Sequence, residues 1–338
     1  MTLLMFLGEF IAGLLLYLYE LSFLPKKKIT YFMGIKLIQA KSDLKPSDTN
    51  IKIYFLIFIA SFFDFVEYMI STYYLAKYSD MSNTLEMRLS GILTISSALF
   101  FYFLLKLPIH KHHFFSLSVI LFCLIIIIIS EYIFQYIHVK KFTFKLLLIF
   151  FIHFFNSLLD SIEKYLLEYD FVNPFKTLML EGIFGFILTF IYSFLENSFI
   201  EIKEYYDNNK KLNFSFFIFC LLLYFMLSGG RNAYRVVTNK IYSPMTKSLT
   251  DYFLNPIVII YYFIIENDFR CGEKKSIFYF CLNFIFSIII DICSCVYNEI
   301  LILFFCDLEY NTHKEIAYRA SDVDRNSELE FDDSSNSL

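Results

Sequence analysis

The chain has 338 residues, of which 57% are hydrophobic, 21% aromatic and only 18% charged, with a formal net charge of −4. A soluble domain is about 45–50% apolar and about 25% charged, so this composition excludes a single soluble core and points to several membrane spans. The small net charge leaves no nucleic-acid footprint.

Hydropathy divides the chain into about nine candidate helical spans, near residues 2–20, 53–76, 89–106, 114–136, 145–167, 175–197, 213–236, 246–266 and 275–303. Most are long enough to cross about 30 Å of hydrocarbon at about 1.5 Å per residue. The first carries Glu9 and has neither a basic leader nor a small-x-small cleavage site, so it reads as a retained span rather than a signal peptide. Loop 21–52 is the longest connection and is rich in lysine. The tail after residue 306 is polar and acidic, ends SELEFDDSSNSL, and reads as disordered. Lysine and arginine lean toward the side that holds loop 21–52 and the tail. That bias predicts a lumenal or external N-terminus and a cytosolic C-terminus.

The third and fourth spans read helix, short basic hairpin, helix, and the eighth and ninth repeat that build five spans later. An odd interval inverts one half relative to the other, which predicts two inverted repeats, about 1–136 and about 145–305, followed by tail 306–338. A five-plus-five architecture needs ten spans. The absent one would be the first, because the chain begins directly inside an apolar run.

Charged side chains inside the spans carry the functional expectation. Asp64 and Glu67 are spaced i, i+3, while Asn156, Asp160, Glu163 and Lys164 are spaced i, i+4, i+7, i+8, so each set shares a helix face. The stretch Ser228–Pro256 adds Gly229, Gly230, Arg231, Asn232, Arg235, Asp251 and Pro256 between two apolar flanks. Such groups survive at membrane depth where they face a wet cavity or a partner, and irregular backbone survives there only if it lines a cavity or is buried. The predicted substrate-binding set is therefore Asp64, Glu67, Asn156, Asp160, Glu163, Arg231, Asn232, Arg235 and Asp251. Spans two, five, seven and eight would line the cavity. Arg231 and Arg235, one turn apart, would clamp an anionic group, with Asp64, Glu67 and Glu163 as counter-charges. The bland rival is interhelical polar glue, such as Asp160 with Lys164 or Glu163 with Arg231.

His110, His112 and His113 read as a solvated turn ahead of a zinc site. The seven cysteines lie mostly in apolar runs and read as small packing residues. No Walker loop, GxSxG, HExxH or kinase pattern is present, so no enzymatic activity and no cofactor are expected. An intramembrane hydrolase would require acids facing one another across helices.

Four stretches resemble the drug/metabolite transporter superfamily, in particular the F branch of solute carrier family 35. They are LMFLGEF at Leu4–Phe10; Asp64 with LEMRLSGILTISSALFFYFLLK at Leu85–Lys106; IEKYLLEYDFVNPFKTLMLEGIFGF at Ile162–Phe186; and NKIYSPMTKSLTD at Asn239–Asp251 with VYN at Val296–Asn298. The third is the most specific. The resemblance implies ten helices in two inverted five-helix repeats around a central cavity, here without the first helix. It also implies transport of a small polar organic solute by alternating access in an endomembrane of the Golgi, endosome or lysosome, and the arginine pair makes an anion the expected solute. The expected partners are that solute and the lipid bilayer, with a homodimer left open and nucleic acid excluded. The alternative expectation is a non-transporting scaffold or trafficking protein that keeps the transporter fold.

Overall fold

The structure, a computed structural model, describes residues 2–23, 29–32, 35–38, 51–78, 83–135, 139–170, 172–196, 214–241, 256–257, 260–261, 273–304, 308–312 and 315. Its helices are α1 Thr2–Phe23, α2 Ile51–Tyr78, α3 Asn83–Arg88, α4 Gly91–Leu104, α5 Lys111–Gln135, α6 Val139–Glu168, α7 Pro174–Leu195, α8 Phe214–Ile241 and α9 Glu273–Tyr297. All but α3 and α4 are long and apolar enough to cross a membrane, so the chain is a multi-pass helical membrane protein. These seven match the first, second, fourth, fifth, sixth, seventh and ninth expected spans.

The third span is shorter than expected. A turn at Leu89–Ser90 separates α3 from α4, and 14 residues of α4 reach only about 21 Å at about 1.5 Å per residue. Lys106, with φ 55°, turns the chain just past its end, and Pro108 follows. The eighth span falls largely outside the described residues; Pro256, Ile257, Ile260 and Tyr261 within it are helical. Most of the expected tail also lies outside them. The predicted basic loop contains a short antiparallel hairpin, β1 Ile29–Phe32 with β2 Ile35–Ile38, paired Ile29 to Ile38.

Contacts divide the chain into two units, each drawing segments from both expected repeats. The first is Met1–Glu86, Ser96–Leu105 and His138–Ser248; the second is Met87–Ile95, Lys106–Ile137 and Leu249–Leu338.

In the first unit α1 packs on α7 and α8, α2 packs on α6 and α7, and α8 also meets α6 and α7. Ile53, Ile57 and Ala60 of α2 meet Leu159, Ile162 and Leu166 of α6, two stripes at helical spacing. Large side chains such as Phe55, Phe62, Phe219 and Leu222 are exposed, which suits lipid. Lipid is as apolar as these side chains, so close packing rather than water exclusion must hold the helices together. Glycine supplies that closeness. A Cβ at Gly8 would sit 2.6 Å from the Phe225 carbonyl oxygen, and one at Gly229 would sit 2.7 Å from the Gly8 carbonyl oxygen. On its other flank, α1 meets α7, where a Cβ at Gly13 would lie 2.5 Å from the Met179 nitrogen. Gly229 thus lets two helices touch, and α8 runs unbroken to Ile241.

The start of α7 is fixed locally. Asn173 Oδ1 accepts from the Phe175 and Lys176 backbone N–H groups, Pro174 occupies the first helical position, and Asn173 Nδ2 donates to Glu20 at 2.7 Å. This cap sets the register that carries Glu181 inward.

In the second unit α5 packs against α9, and the 3₁₀ turn Glu309–Asn311 lies against α5.

Candidate functional site: one arginine among four carboxylates

Five helices of the first unit each send one ionisable side chain to a common point. Arg235 of α8 lies 3.2 Å from Glu9 of α1, 3.4 Å from Asp64 of α2, 2.9 Å from Glu163 of α6 and 3.4 Å from Glu181 of α7. The guanidinium side chain is 9% exposed, and Glu9 and Glu163 are fully buried. The close glycine crossings of α1 with α7 and α8 bring Glu9 within reach. Ser61 Oγ donates to the Glu181 backbone carbonyl at 2.9 Å, tying α2 to α7 beside the cluster.

A second layer follows one turn along α8. Asn239 Nδ2 donates to Glu163 at 2.6 Å and to Asp160 at 3.1 Å. Lys164 Nζ donates to the Asn239 carbonyl at 3.1 Å and pairs with Glu168. Asn232, buried one turn before Arg235, lies beside Glu9. Among the described residues, Glu9 Oε2, Glu181 Oε1 and Asn239 Oδ1 have no hydrogen-bond partner.

Among the described residues the charges at this point do not balance. One guanidinium faces four carboxylates, with Asp160 and Lys164 close behind. At about 3.3 Å and an effective dielectric near 20, each Arg–carboxylate contact is worth roughly 5 kcal/mol of gross attraction. Burying each ion costs several kcal/mol, and the carboxylates also repel one another. A single positive charge offsets one buried carboxylate well and four poorly. Bound protons or a cation would meet the charge left over among these residues.

The structure thus brings together Asp64, Asp160, Glu163, Asn232 and Arg235 of the expected set. Glu67 and Asn156 are only partly buried, at neighbouring turns of α2 and α6. Asp251 lies outside the described residues. Arg231 is exposed, which corrects the two-arginine clamp and the Glu163–Arg231 pair. The reason is where the stripe boundary falls on α8. Ser228, Asn232, Arg235 and Asn239 form the buried stripe, while Leu227, Arg231 and Tyr234 form an exposed one. Spacing of i, i+4 leaves about 40° between side chains, and the boundary passes through that gap. Arg231 lies instead in electrostatic reach of Tyr68, whose hydroxyl meets that of Tyr224 at 2.5 Å.

Glu9, Glu181 and Asn239 lie in this cluster although the expected binding set left them out. Their signal was faint: neither acid has an ionisable companion at i±3 or i±4. Lys164 pairs with Glu168.

The second unit has its own buried arginine. Arg88 Nη1 lies 3.1 Å from Glu131 Oε2 and donates to the Tyr279 hydroxyl at 2.6 Å, and that hydroxyl also donates to Glu131. Burial pulls the Arg88 guanidinium toward losing its proton, but Tyr279 and Glu131 more than reverse this and hold it charged. Arg88 falls between the second and third expected spans, and the structure buries it. His112 likewise departs from the solvated turn expected of it and is buried. Compared with known proteins, the chain matches no protein-family model and no curated protein.

Proposed function

We propose that the chain is a membrane transporter for a small polar solute, of the drug/metabolite transporter kind that its sequence resembles, working by alternating access around Arg235. The observation that carries this reading is the convergence of one ionisable group from each of five helices on one buried point. Ionisable residues inside membrane spans are expensive and are by default functional. A centre tied to α1, α2, α6, α7 and α8 is sensitive to any relative motion of those helices.

The excess of carboxylates favours a cationic solute or a bound proton over the anionic solute expected from a two-arginine clamp. An anion would have to displace four carboxylates from Arg235, whereas a cation would supply the missing positive charge. Acids do face one another across helices here, as an intramembrane hydrolase would require. A guanidinium stands between them here, however, whereas a catalytic acid pair shares one site between its two carboxyls.

A thermal-shift screen on the purified protein, with nucleotide sugars, nucleotides, amino acids and thiamine-like cations, tests the reading. The expected result is stabilisation by a cationic solute, lost in Glu181→Gln, and uptake of the same solute into reconstituted vesicles. Stabilisation by anions that persists in Glu181→Gln but disappears in Arg235→Lys would overturn the cationic assignment. No uptake of any stabilising solute would favour the non-transporting scaffold, for which the closed ionic cluster is a structural lock.

A further inference from the structure

We propose that His112, His113 and Glu299, in the second unit, form a binding site for a divalent transition cation of the zinc type. One nitrogen from each imidazole and one carboxylate oxygen all lie within 4.8 Å of one another. His112 Nε2 and Glu299 Oε1 are 3.3 Å apart. Two ligands held about 2.05 Å from a tetrahedral zinc ion stand about 3.3 Å from each other, so one edge of the coordination figure is already formed.

The local backbone explains the convergence. His112 and His113 sit in the first turn of α5, with ring centroids 4.0 Å apart. Glu299 follows the end of α9, where its N–H bonds the Val296 carbonyl and the Ile300 N–H bonds the Cys295 carbonyl. Its φ is 58°, the left-handed conformation that helix C-caps normally give to glycine or asparagine. A glutamate held there is strained, and strain of this kind collects at functional sites.

A bare ion pair needs one imidazole, whereas this end of the unit gathers three. His110 stacks 5.9 Å from His112 and 5.5 Å from His113. His112 is buried, while the other two ligands are partly accessible, so a cation has a way in. Two imidazole nitrogens and one carboxylate suit zinc, cobalt or nickel and suit calcium or magnesium poorly. Three protein ligands leave a fourth position for water or for His110. His113 Nδ1 now accepts from the His110 backbone N–H at 3.2 Å. Ligation through Nε2 moves the ring proton to Nδ1 and breaks that contact. The bound ion would pin the start of α5 to the end of α9.

The test uses the full chain in detergent, purified without a histidine tag, stripped with chelator and titrated with Co²⁺. The expected result is a visible absorption band that saturates at one ion per chain and is displaced by Zn²⁺, with Zn²⁺ raising the unfolding temperature. Glu299→Gln and His112→Gln are each expected to weaken Co²⁺ binding about tenfold or more. If either fails to fold, His113→Gln takes its place with the same expectation. Absence of a saturable band in the wild-type chain, or unchanged affinity in the folded variants, would overturn the proposal and leave a His112–Glu299 ion pair.

Discussion

Arg88 and Arg235 are both buried among helices of one chain, yet they keep different company. Among the described residues Arg88 pairs with the carboxylate of Glu131 and the phenol of Tyr279, a one-to-one match of charge. Arg235 meets four carboxylates contributed by four helices. A matched pair of this kind fixes how helices register and asks for nothing more. An unmatched centre has a standing demand for positive charge, and that demand is what a transported cation or proton would exploit. In the proposed reading, the contrast separates a structural ionic contact from a functional one without appeal to position in the chain.

The comparison can be broken most directly by removing each arginine. Arg235→Met leaves four carboxylates without their cation and is expected to lose about 5 kcal/mol; Arg88→Met strands one carboxylate and is expected to lose about 3 kcal/mol. Thermal and denaturant unfolding of the purified variants ranks them, and the reverse order would refute the contrast. Next in size, the double variant Arg88→Met with Glu131→Leu should recover most of that loss, to within about 1 kcal/mol of wild type, because a matched pair replaced by apolar groups is often neutral. Gly8→Ala should cost about 1–3 kcal/mol by forcing α1 off α8, and should lower transport by moving Glu9. Glu181→Gln sharpens the comparison through a split readout. Its stability should stay within about 1 kcal/mol of wild type, since an excess charge is removed, while vesicle uptake falls about tenfold or more. Arg231→Ala, on the exposed stripe, should change stability by less than about 0.5 kcal/mol.

Much of this was legible in the sequence, for identifiable reasons. Span positions follow from hydropathy alone, which is why seven helices fall where expected. The inward face of α6 followed from i, i+4, i+7 spacing, and Asp160 and Glu163 do meet α8. Glu9 and Glu181 were harder, because periodicity reports which residues share a face of one helix and says nothing about which helices touch. Their partner is 226 residues away for Glu9 and 54 for Glu181. Arg231 was misplaced because a 40° step fell across the edge of a buried stripe. Arg88, outside every expected span, is buried because a turn at Leu89–Ser90 interrupts the third span and brings the residue before it under cover.

The separation between Glu9 and Arg235 also bears on how the chain is made. At about 5–20 residues per second, the ribosome needs roughly 10–45 s to travel from one to the other. Throughout that interval the first helix carries an acid whose eventual counter-ion has not been synthesised. Glu9 must therefore enter the bilayer carrying a proton, or wait at the insertion machinery until α8 arrives. A stalled nascent chain ending before Arg235 should hold α1 in a crosslinkable, unreleased position.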